Sequence, residues 1–450
     1  MTTLRRSSIL SLLALALALP VGAQGFSDAV RAYAWANLSS SDSYTPSSSY
    51  SYNASGGAIT ATRSGEGSYA IQFEGLGAEA IGGHVQVTAY DSNAYCAVKS
   101  WGPTGDALGI IVECRNPAGA LVDSRYDVLF VSSASEAVPG LAYVWANNPT
   151  APAYTPSTSY SYNGSEAVAI VRTDVGRYAV TFLGLSTNQG HVQVSAYSDD
   201  VRCHLGGSIA EAVGLVVEVR CYDADGNPAD GRYTVMRLGM ESVSPELGFA
   251  LASNSGEASY TPNDRYRYNG SSGAVSATRN GVGDYRMTFA GLASTEGGHV
   301  QVTSSSSTNK YCNVEEWFAS GDDIAVDVGC YDAAGVRADA FYNVLFTSPA
   351  VVTTPNEAGA EPAATFALDP AAPNPFAGQT RFGYEIAEAG SVRLTVFDLL
   401  GREVAVLVDR ERGPGRYEAT LEGIGLPSGV YIARLESGSR TAARRVTLVR

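Results

Sequence analysis

Lysine is almost missing from this chain: of 30 basic residues only Lys99 and Lys310 are not arginine, and 45 acidic residues outnumber them. The formal charge of −15 leaves no basic stripe to release counterions from phosphates, which argues against nucleic acid and anionic membrane as partners. Long apolar runs are scarce too. The one clear stretch, Ile9 to Leu19, is shorter than the roughly 20 residues a spanning helix requires. It follows Arg5 and Arg6 and precedes Val21-Gly22-Ala23, the pattern of a secretory signal peptide spanning 1–23 and cleaved after Ala23. Its removal takes Arg5 and Arg6 away and the charge from −15 to −17. No membrane span is expected in the mature protein, and no Cys follows the cleavage point to carry a lipid. Catalytic signatures are missing as well: there is no Gly-x-Ser-x-Gly elbow, no His-Glu-x-x-His, no phosphate-cradling loop and no carboxylate pair that recurs. No catalytic residue, cofactor or metal site is therefore expected, and the chain reads as a non-enzyme.

What is present is glycine, tyrosine and repetition. With 48 Gly, 26 Tyr and little helical periodicity, the composition points to an exported all-β protein. "SYTPSSSYSYN" from Ser43 returns as "AYTPSTSYSYN" from Ala153 and "SYTPNDRYRYN" from Ser259, and "GHVQV" recurs from Gly83, Gly190 and Gly298. Paired cysteines at Cys96/Cys114, Cys203/Cys221 and Cys312/Cys330 keep a spacing of 18, while the copies repeat every 107 to 109 residues. A period of that length is domain-sized rather than solenoid-sized. Three beads are expected, at 32–133, 141–240 and 248–348, followed by a linker at 349–365 rich in Pro, Ala, Thr and acid.

Within a copy, apolar and polar residues alternate as in half-buried strands: Tyr69, Ile71 and Phe73 share one face, as do Tyr178, Val180 and Phe182, and Tyr285, Met287 and Phe289. Strands are expected near Ala32–Asn37, Tyr50–Asn53, Ala58–Arg63, Tyr69–Leu76, His84–Tyr90, Tyr95–Trp101, Leu108–Arg115 and Tyr126–Ser132. About eight short strands joined by Gly, Pro, Asn and Ser turns fit a small antiparallel sandwich or barrel. Each second Cys lies on the core face of its strand, and repeat symmetry selects the local disulfides, Cys96 with Cys114, Cys203 with Cys221 and Cys312 with Cys330. Each bridge is expected to add about 3 kcal/mol.

Two recurring groups are candidates for ligand binding. His84, His191 and His299 share a strand face with Gln86, Gln193 and Gln301, a polar stripe suited either to a glycan hydroxyl or to a neighbouring strand. The pairs Tyr50 and Tyr52, Tyr160 and Tyr162, and Tyr266 and Tyr268 could form an exposed platform or cap the core. "DADGNPAD" from Asp223 has the look of a small calcium loop but reads better as a hairpin turn, since Thr234 stands at the twelfth position, where a bidentate acid belongs. Glu113, Glu218 and Asp327 recur on a solvent face with no partner acid.

From Phe366 the composition shifts to 11 Arg against 10 Asp and Glu. Here Pro373-Asn374-Pro375-Phe376, "VRLTVFDLLGREVAVL" from Val392 with its turn at Gly401, and "LPSGVYIARL" from Leu426, containing Gly429 and Tyr431, stand in order before the terminal Arg450. Residues 366–450 resemble the type A C-terminal sorting domain of the type IX (Por) secretion system. The resemblance implies an Ig-like seven-strand sandwich, passage through the periplasm to the outer-membrane surface or medium, and the type IX machinery as partner. The segment after Phe376 departs from the family in reading Ala-Gly-Gln-Thr where many members have a second Asn-Pro. The expectation is an exported adhesive or ligand-binding protein, with surface polysaccharide, extracellular glycan or protein as possible partners. A carbohydrate-binding array or a secreted hydrolase is the alternative.

Overall fold

The computed structural model describes residues 26, 29–132, 138–198, 200–293, 297–348, 366–369, 371, 373–386, 390–398, 401–412, 415–423, 426–438 and 440–449. The expected signal peptide and the 349–365 linker lie outside the described residues. In the first copy the strands are β1 (Val30–Ala36), β2 (Ser43–Tyr44), β3 (Ser51–Asn53), β4 (Ile59–Gly65), β5 (Ser68–Phe73), β6 (His84–Tyr90), β7 (Tyr95–Thr104), β8 (Ala107–Arg115) and β9 (Arg125–Ser132). They form a five-strand layer in the order β2-β4-β5-β8-β7 and a four-strand layer in the order β6-β9-β1-β3. Between the layers lies a core of alternating apolar residues, Ile71, Phe73, Ile110 and Val112 from one side meeting Val85, Val87, Val128 and Phe130 from the other. Each copy is thus a sandwich.

The copies are not separate beads. The β7 edge of the first continues into the His191–Tyr197 strand of the second, whose Arg202–Glu211 strand continues into His299–Ser305 of the third, whose Lys310–Ser320 strand returns to β6. Each junction is parallel and narrow, pairing Val98 with Tyr197, Leu205 with Ser305, and Val314 with Tyr90. At each, an amide just past the strand donates across the boundary: Ser198 to Val98 O at 2.7 Å, Ser306 to Leu205 O at 2.9 Å and Asp91 to Val314 O at 2.8 Å. Three nine-strand sheets therefore close the copies into a ring around a quasi-three-fold axis. The expectation of beads failed because these parallel contacts carry no turn chemistry for a sequence to reveal.

All three disulfides join directly opposed residues of antiparallel neighbours, at the expected pairs. Beyond the ring, seven strands form a fourth sandwich, with Ala367–Leu368, Gln379–Ile386 and Gly415–Glu422 in one sheet. Glu403–Arg412, Gly390–Phe397, Gly429–Ser437 and Arg440–Leu448 form the other. Its core is continuous with that of the third copy.

Candidate functional site

The Val face and the His-Gln face of β6 are both buried, the first inside its sandwich and the second on the ring axis. His84, Gln86, His191, Gln193, His299 and Gln301 are each at most 1% exposed. They bind the copies to one another: Ser195 Oγ donates to Gln86 Oε1 and Thr88 Oγ1 to Gln301 Oε1, both at 2.8 Å, and Gln193 Nε2 donates to Gln301 O at 3.1 Å. Gln86 Nε2 lies 2.6 Å from His84 Nε2, and Gln301 Nε2 lies 2.9 Å from His299 Nε2. An amide donor at that nitrogen requires a neutral imidazole, and burial pushes each of the three histidines down to about 3. Each ring also packs on an aromatic ring of the next copy, His84 and His299 stacked on Tyr143 and Tyr33, and His191 tilted against Phe249. The stripe is an interior seam, out of reach of a glycan. The cavity bordered by Thr88, Ser195 and Thr303 measures about 50 Å³, far below the few hundred Å³ of an organic ligand site.

One acid sits on this seam. Asp127, on β9, is fully buried at the position held by Thr234 and Asn343 in the other copies, and neither carboxyl oxygen has a hydrogen-bond partner. His299 Nδ1, at 3.6 Å, is its nearest basic group, and burial pushes Asp127 well above the usual carboxylate range. A carboxyl raised in this way is neutral in the fold, so its penalty is absent below about pH 4. As the pH rises above that, each unit costs about 1.4 kcal/mol until the folded value is passed. Asp127→Asn should therefore raise stability at pH 7 and leave it nearly unchanged at pH 4. Thermal melts at both pH values, showing a gain at neither or at pH 4 alone, would refute this.

The tyrosine pairs separate. Tyr52 packs against Tyr33 on the neighbouring strand, as Tyr162 does against Tyr143 and Tyr268 against Phe249. Tyr50 turns instead to the seam between the third and first copies and meets Trp35 at 5.2 Å and Trp317 at 5.5 Å, with Tyr90 completing the group. The seam between the first and second copies repeats the group with Tyr160, Trp145, Trp101 and Tyr197. These two clusters hold all four tryptophans of the chain. Their recurrence at matching positions, Trp35 with Trp145 and Trp101 with Trp317, was a sequence signal that the tyrosine motif alone did not carry.

Other recurring polar residues are committed to structure. Asp123 accepts from Arg63 Nε, Gly67 N and Tyr69 Oη, and Asp230 and Asp339 do the same in their copies. Asp230 is the final acid of the calcium-like segment, and Asp123 and Asp339 hold the equivalent positions in the other copies. Asp223 closes a turn, accepting from Gly226 N and Asn227 N. Glu113, Glu218 and Asp327 each pair with an arginine of their own sheet.

The C-terminal sandwich sits over the seam between the third and first copies. Arg412 Nη1 meets Glu316 Oε1 at 3.2 Å with both side chains buried, Arg410 reaches Asp91 at 3.4 Å, and Tyr417 approaches Trp35 at 6.3 Å between ring centres. Within that sandwich Pro373 O accepts from Thr380 Oγ1 at 2.6 Å, and the Asn374–Pro375 peptide is cis. Asn374 clamps the last strand, accepting from Thr447 N at 2.9 Å and donating to Arg445 O at 3.1 Å. Phe376 is buried and pairs in parallel with Leu448. Gly401, at φ +80°, closes the Asp398–Arg402 turn, where Gly suits a left-handed backbone. Gly429 opens a strand opposite Leu448, and Tyr431 Oη donates to Pro427 O at 2.6 Å.

No curated protein matches the chain. Among solved structures, a Faecalibacterium prausnitzii beta-glucuronidase aligns with 81% of this chain and 46% of its own, at 12% identity and a TM-score of 0.14, too low to indicate a shared fold. Residues 371–449 match the family described as Secretion system C-terminal sorting domain. With the ordered motif, the two-sheet sandwich and the clamp on its last strand, the C-terminal region is a type IX secretion sorting domain.

Proposed function

We propose that this chain is an exported, non-catalytic binding protein, adhesive or ligand-binding, in which the ring of three β copies is the cargo and the C-terminal sandwich the address. The observation that carries the reading is the sorting domain at 371–449, which indicates export to the cell surface or extracellular space. The cargo's recurring ionisable groups support a non-catalytic role, because neutral histidines are locked on the axis and Asp123, Asp230 and Asp339 are saturated by donors. An array of carbohydrate-binding modules is a second reading, favoured by the half-buried rings between the first and second copies; a secreted hydrolase has no such support.

The test is fractionation and intact mass of the native protein beside a chain ending at Thr365. The full chain should reach the surface or medium, and the shortened one should accumulate in the periplasm. Equal distribution of the two would overturn the assignment of the address.

A further inference from the structure

The two tryptophan clusters are near-duplicates. Trp101 and Trp145 lie 5.8 Å apart at 68°, and Trp317 and Trp35 lie 5.6 Å apart at 68°. Trp101 Nε1 donates to Gly82 O at 2.9 Å, and Trp317 Nε1 to the equivalent Gly297 O at 3.3 Å. They differ in what lies over them. Trp35, Tyr50, Tyr90 and Trp317 are between 2% and 5% exposed beneath the sorting domain, whereas Trp101, Trp145, Tyr160 and Tyr197 are only half-buried. The third seam has lost the arrangement: Ser208, Leu251 and Ser305 replace three of the rings, and Asn188 Nδ2 donates to the hydroxyl of the fourth, Tyr266, at 2.9 Å.

The covered cluster shows that this surface takes an occupant, and its surroundings show which kind. The sorting domain brings Arg412 and Arg410 to Glu316 and Asp91. At the open cluster those acids are replaced by Ser100 and Ser198. A second sorting domain seated there would bury Arg412 without a carboxylate, a heavy desolvation cost. What remains is aromatic surface edged by hydroxyls in place of the two acids, with the Arg232 guanidinium, a donor to hydroxyl oxygens, 5.5 Å over the Tyr197 ring. That combination suits an uncharged molecule with an apolar flat face and hydroxyl groups at its rim.

We propose that Trp101, Trp145, Tyr160 and Tyr197 form a binding site for neutral polysaccharide, while the sorting domain occupies the equivalent site at the opposite seam. This deepens the binding role proposed above and rests on it. Among the described residues the intact chain therefore carries one open site of this kind.

The test is affinity electrophoresis of the full chain through gels containing a neutral glucan, mannan, galactan or xylan, with tryptophan emission recorded during titration by the matching oligosaccharides. At least one polymer should retard the protein. Its oligosaccharide should shift an emission that comes from Trp101 and Trp145, since Trp35 and Trp317 are covered. Trp101→Ala with Trp145→Ala should weaken binding by at least about tenfold, an ordinary loss for stacked rings. Trp101→Phe with Trp145→Phe, which keeps ring surface, should retain part of it. Retardation by none of the four polymers would overturn the proposal, as would equal binding by a folded double-alanine variant. So would a wild-type dimer in sedimentation that the same variant abolishes, since a second copy would then be the occupant. Attachment of the native protein to cells or matrix separates the two levels. Attachment that survives the double substitution would leave the binding role standing and remove this site, whereas no attachment by wild type would remove both.

Discussion

Gln301→Leu is expected to lower the stability of the whole ring by about 3 kcal/mol or more, although the residue lies far from any surface. Gln301 Oε1 accepts from Thr88, its Nε2 donates to Asp127 O at 3.1 Å, and the same nitrogen serves His299. Leucine fills the volume but leaves the buried His299 nitrogen without its donor, a loss of about 1–3 kcal/mol, and removes the second donor of the Asp127 carbonyl and an acceptor of the Thr88 hydroxyl. Because the residue belongs to one copy and two of its partners to another, the loss should appear in a single cooperative transition. Urea unfolding followed by tryptophan emission and by circular dichroism is the measurement. Gln72→Leu, on the half-buried outer face of β5, is the control and should change stability by about 0.5 kcal/mol or less. Equal midpoints for the two variants would refute the account of the seam.

A single copy cut from the ring, such as residues 138–240, is expected not to exist as a folded monomer. Excision strips the parallel partners from the His191–Tyr197 and Arg202–Glu211 strands, leaving two bare sheet edges that invite pairing with other chains. It also exposes the face of His191 and Gln193, which is buried only by the neighbouring copies. The fragment should either be unfolded or reassemble in threes, reproducing the closed ring with identical units. Sedimentation and thermal melts distinguish these states. A compact monomer melting near the intact protein would show that the shared sheets contribute little.

The local fold was legible in the sequence and the assembly was not. Alternation in segments such as Tyr69 to Phe73 marks strands because one face must be apolar, and the cysteine spacing marks a cross-strand pair because both partners lie on adjoining strands. The His-Gln stripe was visible as a polar face, but polarity alone does not separate a face turned to solvent from one turned to a symmetric neighbour whose hydroxyls and amides satisfy it. The tyrosine motif misled in another way. Period two places Tyr50 and Tyr52 together, yet Tyr50 ends a 3-10 turn and enters the Trp35 cluster while Tyr52 pairs with Tyr33. The sorting domain was legible because its ordered motif is long and independent of the ring.

The seat of the sorting domain is built from both ends of the ring. Trp35, Tyr50 and Tyr90 come from the first copy and Trp317 and Glu316 from the third, so the seat does not exist until segments more than two hundred residues apart have met, with Val314 beside Tyr90. Closure at such separation is a late event in folding. A chain halted before its third copy, or one that misregisters a seam, offers the sorting domain no aromatic bed and no buried acid. Seating of the sorting domain is thereby conditional on a closed ring.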